Sequence, residues 1–409
     1  MRRDPGAPRS TRPRSARPAG FGAIWTCVAV DLVGFGIVLP ILPLYATRFD
    51  ATPTTIGLLV ASFSLAQLVF APAWGRLSDR IGRKPVLVAS LVGTALASLL
   101  TGLAGSLWVL FVARILDGVS GASVSVAQAA VTDVAPPAER ARLLGLLSAA
   151  FGLGFVLGPA LSGLAALVDP RLPFFVAALI AGANAVWAIR RLPETNPAVV
   201  SPRATGRPPE PPSIPARAPA LSVVSASVVV AFAALAAFSA FEATFALFGQ
   251  RRLGFDEAST AGVFVLVGLL ITAVQLGVVG RCVERYGERG ALRLGLGLNA
   301  AGLVVLAGVN SWWQLAPALV LLTVGQGLLT PTLASLVAGQ VAAERRGGVL
   351  GVQQAAGGLA RVVGPAMGGL LFQRAGLSSP YLVGAALTVA AALLVSRISP
   401  RLSAESVHG

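Results

Sequence analysis

Charge is scarce in this sequence: 12% of its 409 residues are Asp, Glu, Lys or Arg, against about 25% in soluble domains. A water-soluble chain of this length would need two or three domains with polar surfaces, and 32 basic plus 17 acidic side chains cannot supply them. Histidine is nearly absent. The single one, His408, sits beside the C-terminus, so no imidazole serves a proton relay and carboxylates are the only carriers left. The two cysteines, Cys27 and Cys282, lie in or at the edge of apolar stretches, which excludes a disulfide framework or a thiolate metal site. No G-x4-G-K-[S/T] element is present to cradle ATP phosphates, and no Ser/His/Asp set or His/Cys cluster points to an enzyme. No cofactor is expected.

What the sequence has instead is hydrocarbon, with 55% apolar residues gathered into long runs. Crossing about 30 Å of bilayer takes about 20 helical residues. Twelve stretches reach that length, near 22–47, 53–76, 85–105, 107–133, 143–168, 172–190, 220–248, 258–281, 290–309, 313–338, 347–373 and 378–397. Residues 1–20 carry six arginines and read as a disordered basic tail. The run that follows is too long for a signal-peptide core and is expected to stay as the first span. A proline- and arginine-rich loop, 191–219, parts the two six-helix bundles, 21–190 and 220–398, and residues 399–409 form a second tail.

The net charge of +15 would suggest nucleic acid in a soluble protein, but its placement argues otherwise. With both termini inside, 25 of the 32 basic residues fall on cytoplasmic segments. Only Arg48, Arg171, Arg251, Arg252 and Arg374 fall outside, while Arg114 and Arg361 lie within spans. That bias sets the orientation and accounts for the charge. Trp312 and Trp313 read as anchors at the outer boundary.

The halves repeat. Gly75 to Gly82 after the second span is echoed by Gly280 to Gly287 after the eighth, with Glu284 and Arg285 standing for Asp79 and Arg80. Gly158-Pro159 in the fifth span is echoed by Gly364-Pro365 in the eleventh. Copies separated by six spans run parallel, as in two bundles related by an axis along the membrane normal.

Residues 75–84, Gly75-Arg-Leu-Ser-Asp79-Arg80-Ile-Gly82-Arg83-Lys84, match the pattern G-x-L-x-D-R-x-G-R-K at every fixed position. Gly34, Pro40 and Pro43 fit G-x5-P-x-x-P; Arg114 to Gly118 fits R-x-x-Q-G with Asp117 in place of glutamine; and Gly154, Gly158, Pro159 and Gly163 fit G-x3-G-P-x2-G-G with Ser162 for one glycine. On these motifs residues 21 to 398 resemble the major facilitator superfamily, within it the twelve-helix drug/proton antiporters that include the tetracycline exporters. The resemblance implies an all-α membrane protein of two six-helix bundles and proton-coupled efflux of amphipathic small molecules by alternating access in a bacterial inner membrane. It implies lipid, protons and a small molecule as partners; the placement of the charges calls for no nucleic acid, and a monomer is expected although the sequence does not read out oligomeric state. The resemblance also implies that Asp79 pairs across the halves when the cytoplasmic side closes, with Glu284 and Arg285 as the weaker counterpart. Import or facilitated passage of a metabolite, or a non-transporting receptor, stay open as alternatives.

The ionisable residues within spans are the most informative. Asp31, Asp117, Glu242, Arg114 and Arg361 would each cost about 2.5–3.5 kcal/mol facing lipid, together on the order of 10–15 kcal/mol. Their expected address is the interior between the bundles. Arg114 and Asp117, three apart, share a helix face and can neutralise each other, so Asp117 is expected to stay ionised. Asp31 has no opposite charge in its own span, so desolvation favours its protonated form, the property proton coupling needs. Asp31 is expected as the main proton site and Glu242, among Phe238, Phe241 and Phe245, as the second, with Arg361 as the nearby base. The four phenylalanines 238, 241, 245 and 248 suit packing better than a drug pocket. The glycines of spans 5 and 11 are expected to allow close helix approach where the halves slide.

Overall fold

The computed structural model describes Pro18 and residues 20–136, 139–200, 221–340 and 346–397. Most of the expected tails, 1–20 and 399–409, and of the loop 191–219 lies outside the described residues. Among the described residues every regular element is helical. An apolar phase demands this, because a helix satisfies its own backbone amides where no water can. Among the described residues twelve helices are long and apolar enough to cross a bilayer: span 1 (Phe21–Thr47), span 2 (Pro53–Ile81), span 3 (Arg83–Gly102), span 4 (Leu107–Val134), span 5 (Arg142–Ala166), span 6 (Leu172–Arg191), span 7 (Ser225–Leu253), span 8 (Glu257–Gly277), span 9 (Val279–Ala307), span 10 (Trp312–Leu336), span 11 (Gly351–Arg374) and span 12 (Ser379–Ser396). Local chemistry sets several starts. Thr52 caps span 2 by accepting the Thr55 N–H, with Pro53 at the first helical position, and Asp256 caps span 8 by accepting the Ser259 N–H at 2.8 Å.

Two elements differ from expectation. The connection between spans 2 and 3 is Gly82 alone, because span 2 stays helical through most of the basic motif. Gly82 adopts φ +107°, which only glycine reaches without strain. Span 4, expected unbroken, is helical to Ser120 and resumes at Ser123. The freed carbonyls of Val119, Ser120 and Gly121 are taken by the Trp74 indole, the Ser90 hydroxyl and the Gln67 amide. Side chains from spans 2 and 3 thus replace the backbone donors that the break removes.

Span 1 packs on spans 5 and 6, span 3 on spans 4 and 6, and span 2 on span 4. In the second half span 7 packs on spans 11 and 12, span 9 on spans 10 and 12, and span 8 on span 10. The sequence repeat is therefore a repeat of packing. The halves meet along two equivalent seams, span 2 against span 11 and span 5 against span 8. Small residues make the seams close: Gly57 lies on the Pro365 carbonyl, Gly369 on that of Pro53, Gly163 on Ala258 and Ala261, and Gly268 on the Phe155 carbonyl.

The paired Gly-Pro motifs serve a different contact from the one expected. Gly154 and Gly158 pack against Leu32 and Gly36 of span 1, and Gly364 against Ala236 and Ala240 of span 7, so these glycines build each bundle from within. Helical geometry explains the division, since a span squeezed between two partners turns one face to its own half and another to the seam. Only Gly163 of the span 5 motif reaches the opposite half. Ser162, where the pattern has glycine, is buried and donates to the Ile37 carbonyl at 2.6 Å.

The buried apolar residues form three groups. One spans both halves, joining the second part of span 1 (Ile37, Ile41, Tyr45) to that of span 7 (Phe241, Phe245, Phe248), with Phe174, Phe264 and Tyr381. All lie toward the face opposite the start of span 1 and the end of span 12, here named the far face. At the other face, the terminal face, the cores are separate: Phe21 to Leu32 with Val126, Leu147 and Ala188 in the first half, and Val230, Leu296, Leu333 and Val395 in the second. The halves are welded at the far face and parted at the terminal face, leaving a crevice between them.

Candidate functional site: charged groups around a one-sided crevice

The half-exposed residues of span 1 include Asp31, Phe35 and Leu39, spaced by four, and those of span 7 include Val228, Ala231, Leu235 and Glu242. Each set is one helix face. Beyond Glu242, residues 243–249 are all buried, so its carboxyl stands at the closed end of the crevice.

In the first half each buried charge has a partner. Asp31 accepts a hydrogen bond from the Ser123 hydroxyl, at the first turn of the resumed span 4. Arg114 and Asp117 form the expected pair at 2.8 Å, and Arg114 also lies 4.4 Å from the centre of the Phe63 ring. Both are buried, so each neutralises a charge that would otherwise be costly.

The second half is arranged differently. Glu242 feels the positive charge of Arg361 but forms no ion pair with it, and neither side chain has a hydrogen bond among the described residues. Phe238, Phe241 and Phe245 stack on one another at 5.7 and 5.2 Å, and the last two reach Phe264 of span 8. Phe248 meets Tyr381 edge-on. The four phenylalanines are thus core, as their spacing suggests.

At the terminal face the basic motif is tied into its own half. Arg83 donates to Asp79 at 2.5 Å, to Ser78 at 2.7 Å and to Asp133 at the end of span 4 at 2.9 Å. Glu194, just beyond span 6, accepts the backbone N–H groups of Arg83, Lys84, Thr195 and Asn196. Burial pushes the Glu194 carboxyl up, but those four donors outweigh it and hold it below the usual range. Asn196 returns its amide to the Ser78 and Asp79 carbonyls at 3.2 and 2.8 Å. Gly75 leaves open space around its backbone, and Arg80 is exposed. Glu284 and Arg285 are exposed on the other side of the crevice, with Arg285 over the Tyr286 ring. With the halves parted here, Asp79 pairs within its own half.

The far face carries the polar contacts between halves. Arg48 of the first half meets Glu257 of the second at 3.3 Å, and the Thr54 N–H bonds the Gln373 side chain at 3.2 Å. Ser123, Asp133, Glu194, Asn196 and the pair Arg48 with Glu257 are absent from the sequence-based candidates. Glu194 had a visible signal, a lone acid three residues after the Arg190-Arg191 pair. The others pair residues far apart in sequence and left none. Among the described residues no three His, Cys, Asp or Glu side chains come together as a metal site.

Two pseudo-equivalent bundles, with a charged crevice sealed at one face and open at the other, define a membrane transporter. The sequence pattern of the Major Facilitator Superfamily matches residues 24–281 and 273–408, and the chain belongs to that superfamily. It is 32% identical over 341 residues to the tetracycline resistance protein, class C, of Escherichia coli, covering 83% of this chain and 86% of that one. It is 28% identical over 347 residues to multidrug resistance protein 2 of Bacillus subtilis, covering 84% and 86%. Among solved structures, the human organic anion transporter MFSD10 (TETRAN) superposes with a TM-score of 0.69 at 25% identity, covering 92% of this chain and 98% of that one.

Proposed function

We propose that this protein exports amphipathic, drug-like small molecules from a bacterial cell in exchange for protons. It works as a monomer in the inner membrane, with the terminal face in the cytoplasm. The excess of lysine and arginine on terminal-face segments supports that orientation, and the names of the resistance proteins it resembles support export. The carrying observation is the one-sided crevice. Sealed at the far face by the phenylalanine cluster and the glycine seams, and open beside Asp31, it is the loading state of an exporter. Rocking of the halves about the two glycine seams then exchanges the open face. A proton arriving from outside neutralises Asp31 or Glu242, loosens the hold on bound substrate and returns the empty carrier inward. Asp79 would cross to the second half when the terminal face closes.

The test is accumulation of a fluorescent drug in everted membrane vesicles. Energised uptake abolished by a proton-conducting ionophore, and lost in Asp31→Asn at normal expression, is the expected result. Normal energised uptake by Asp31→Asn removes that residue from the mechanism, and uptake indifferent to the ionophore removes proton coupling.

A further inference from the structure

The two halves treat their intramembrane charges unequally. Asp31 is bonded by Ser123, and Arg114 is ion-paired with Asp117, although its buried Nε has no hydrogen-bond partner. Glu242 and Arg361 have no hydrogen-bond or ion-pair partner among the described residues, although both reach the crevice. For Glu242 the half-exposed stripe of span 7 places it there. For Arg361 the argument comes from the packing of span 11. Gly357 and Gly364 face span 7, at Leu235 and Ala236, while Gly358 and Gly369 face span 2, at Leu68 and Pro53. At 3.6 residues per turn Arg361 projects between those two directions. The lipid side of the span is the opposite stripe of Val352, Leu359 and Leu370, exposed by 54%, 46% and 39%. Arg361 is exposed nonetheless, and so is Gln354, two turns earlier on the same face. Both therefore open into the crevice between spans 2 and 7.

A carboxylate and a guanidinium that share a crevice without touching offer two unlike charges to one guest. Had stability alone placed them, closing the pair would lower the cost of both. Resting on the reading of this crevice as the substrate site, we infer that its second half recognises a dipolar amphiphile: Glu242 takes the cationic group and Arg361 the anionic group. The apolar body lies against Leu235 and Phe35. A guanidinium suits this role, since its fork bonds a carboxylate through two parallel N–H groups.

Three dyes on one scaffold test the inference. Rhodamine B is dipolar, its ethyl ester is a cation of the same shape, and fluorescein is an anion. Binding to the purified full-length protein is read by fluorescence polarisation at neutral pH, so the result depends on neither transport nor a proton gradient. Rhodamine B should bind at least about ten-fold more tightly than the ester, the worth of one charge-assisted hydrogen bond. Arg361→Gln should erase that preference by weakening rhodamine B to the level of the ester, and Arg361→Lys should restore part of it. Glu242→Gln should weaken both rhodamines and spare fluorescein. Elution as a single sharp size-exclusion peak identifies folded variants. Equal binding of rhodamine B and its ester, absent binding of rhodamine B, or a preference that survives Arg361→Gln overturns the inference. A preserved preference in a protein that moves no drug would instead overturn the transport reading alone.

Discussion

Glu194 accepts the backbone N–H of Arg83 at 2.8 Å and that of Lys84 at 3.1 Å, so a residue beyond span 6 caps the first turn of span 3. The first amides of a helix have no partner within it, and a carboxylate answers both that need and the helix dipole. With Asn196 on the last carbonyls of span 2 and Arg83 on Asp133, the ends of spans 2, 3, 4 and 6 are one unit.

Glu194→Gln should therefore lower stability by about 1 kcal/mol, allowing for partial solvent exposure. Because the native carboxyl titrates below its ordinary value of 4.5, its contribution is full above that pH and is lost as pH falls through the native value. The melting temperature of the parent protein in detergent should drop over that acidic window, and the variant should lack this component of the drop.

The buried pair of Arg114 and Asp117 makes an opposite kind of prediction. Asp117→Asn strands a buried guanidinium at a cost of about 3–5 kcal/mol, so folded yield and melting temperature should fall sharply. Replacing both at once, Arg114→Met with Asp117→Leu, should recover most of the loss, because an apolar pair needs no counter-ion. Failure of the double variant to recover would mean that the pair does more than neutralise itself.

Gly57 and Gly34 separate seam from filler. A Cβ at Gly57 would strike the Pro365 carbonyl, whereas one at Gly34 meets nothing within 4 Å. Gly57→Ala should wedge spans 2 and 11 apart and unseal the far face. A cysteine placed at Thr54, in a background without Cys27 and Cys282, should then react faster with a membrane-impermeant thiol reagent. Gly34→Ala should leave that rate and drug export unchanged.

The ion pair between Arg48 and Glu257 should matter little. Its side chains are 49% and 23% exposed, and such pairs contribute about 0.2–1 kcal/mol. Arg48→Ala should change the export rate by less than about five-fold, with the difference shrinking in high salt. A larger effect would mean that this contact, and not the glycine seam, holds the far face shut.

The twelve crossings were legible because each rests on local information, a run of apolar residues long enough for a bilayer. So was the pair of Arg114 and Asp117, which one helical turn brings together. Asp31 was recognisable as a costly carboxyl, but its partner Ser123 lies on another span, and no local pattern joins them. The assignment of Gly154, Gly158 and Gly364 to sliding surfaces failed for a related reason. Glycine marks close approach without naming the neighbour, and these three face their own bundles. The break in span 4 was hidden because Ser120 to Ser123 is small and apolar enough to pass for continuous helix, and only Trp74, Gln67 and Ser90 show where its carbonyls go.

Trp74 binds the Val119 carbonyl at 2.5 Å, next to the gap in span 4. An indole fixed at the place where a backbone has come apart is a built-in optical gauge. If span 4 rewinds as the carrier turns over, that indole loses its anchor, and its emission colour and quenching should change with it. Turnover could then be followed in the unlabelled protein, once the tryptophans elsewhere in the chain are replaced by phenylalanine.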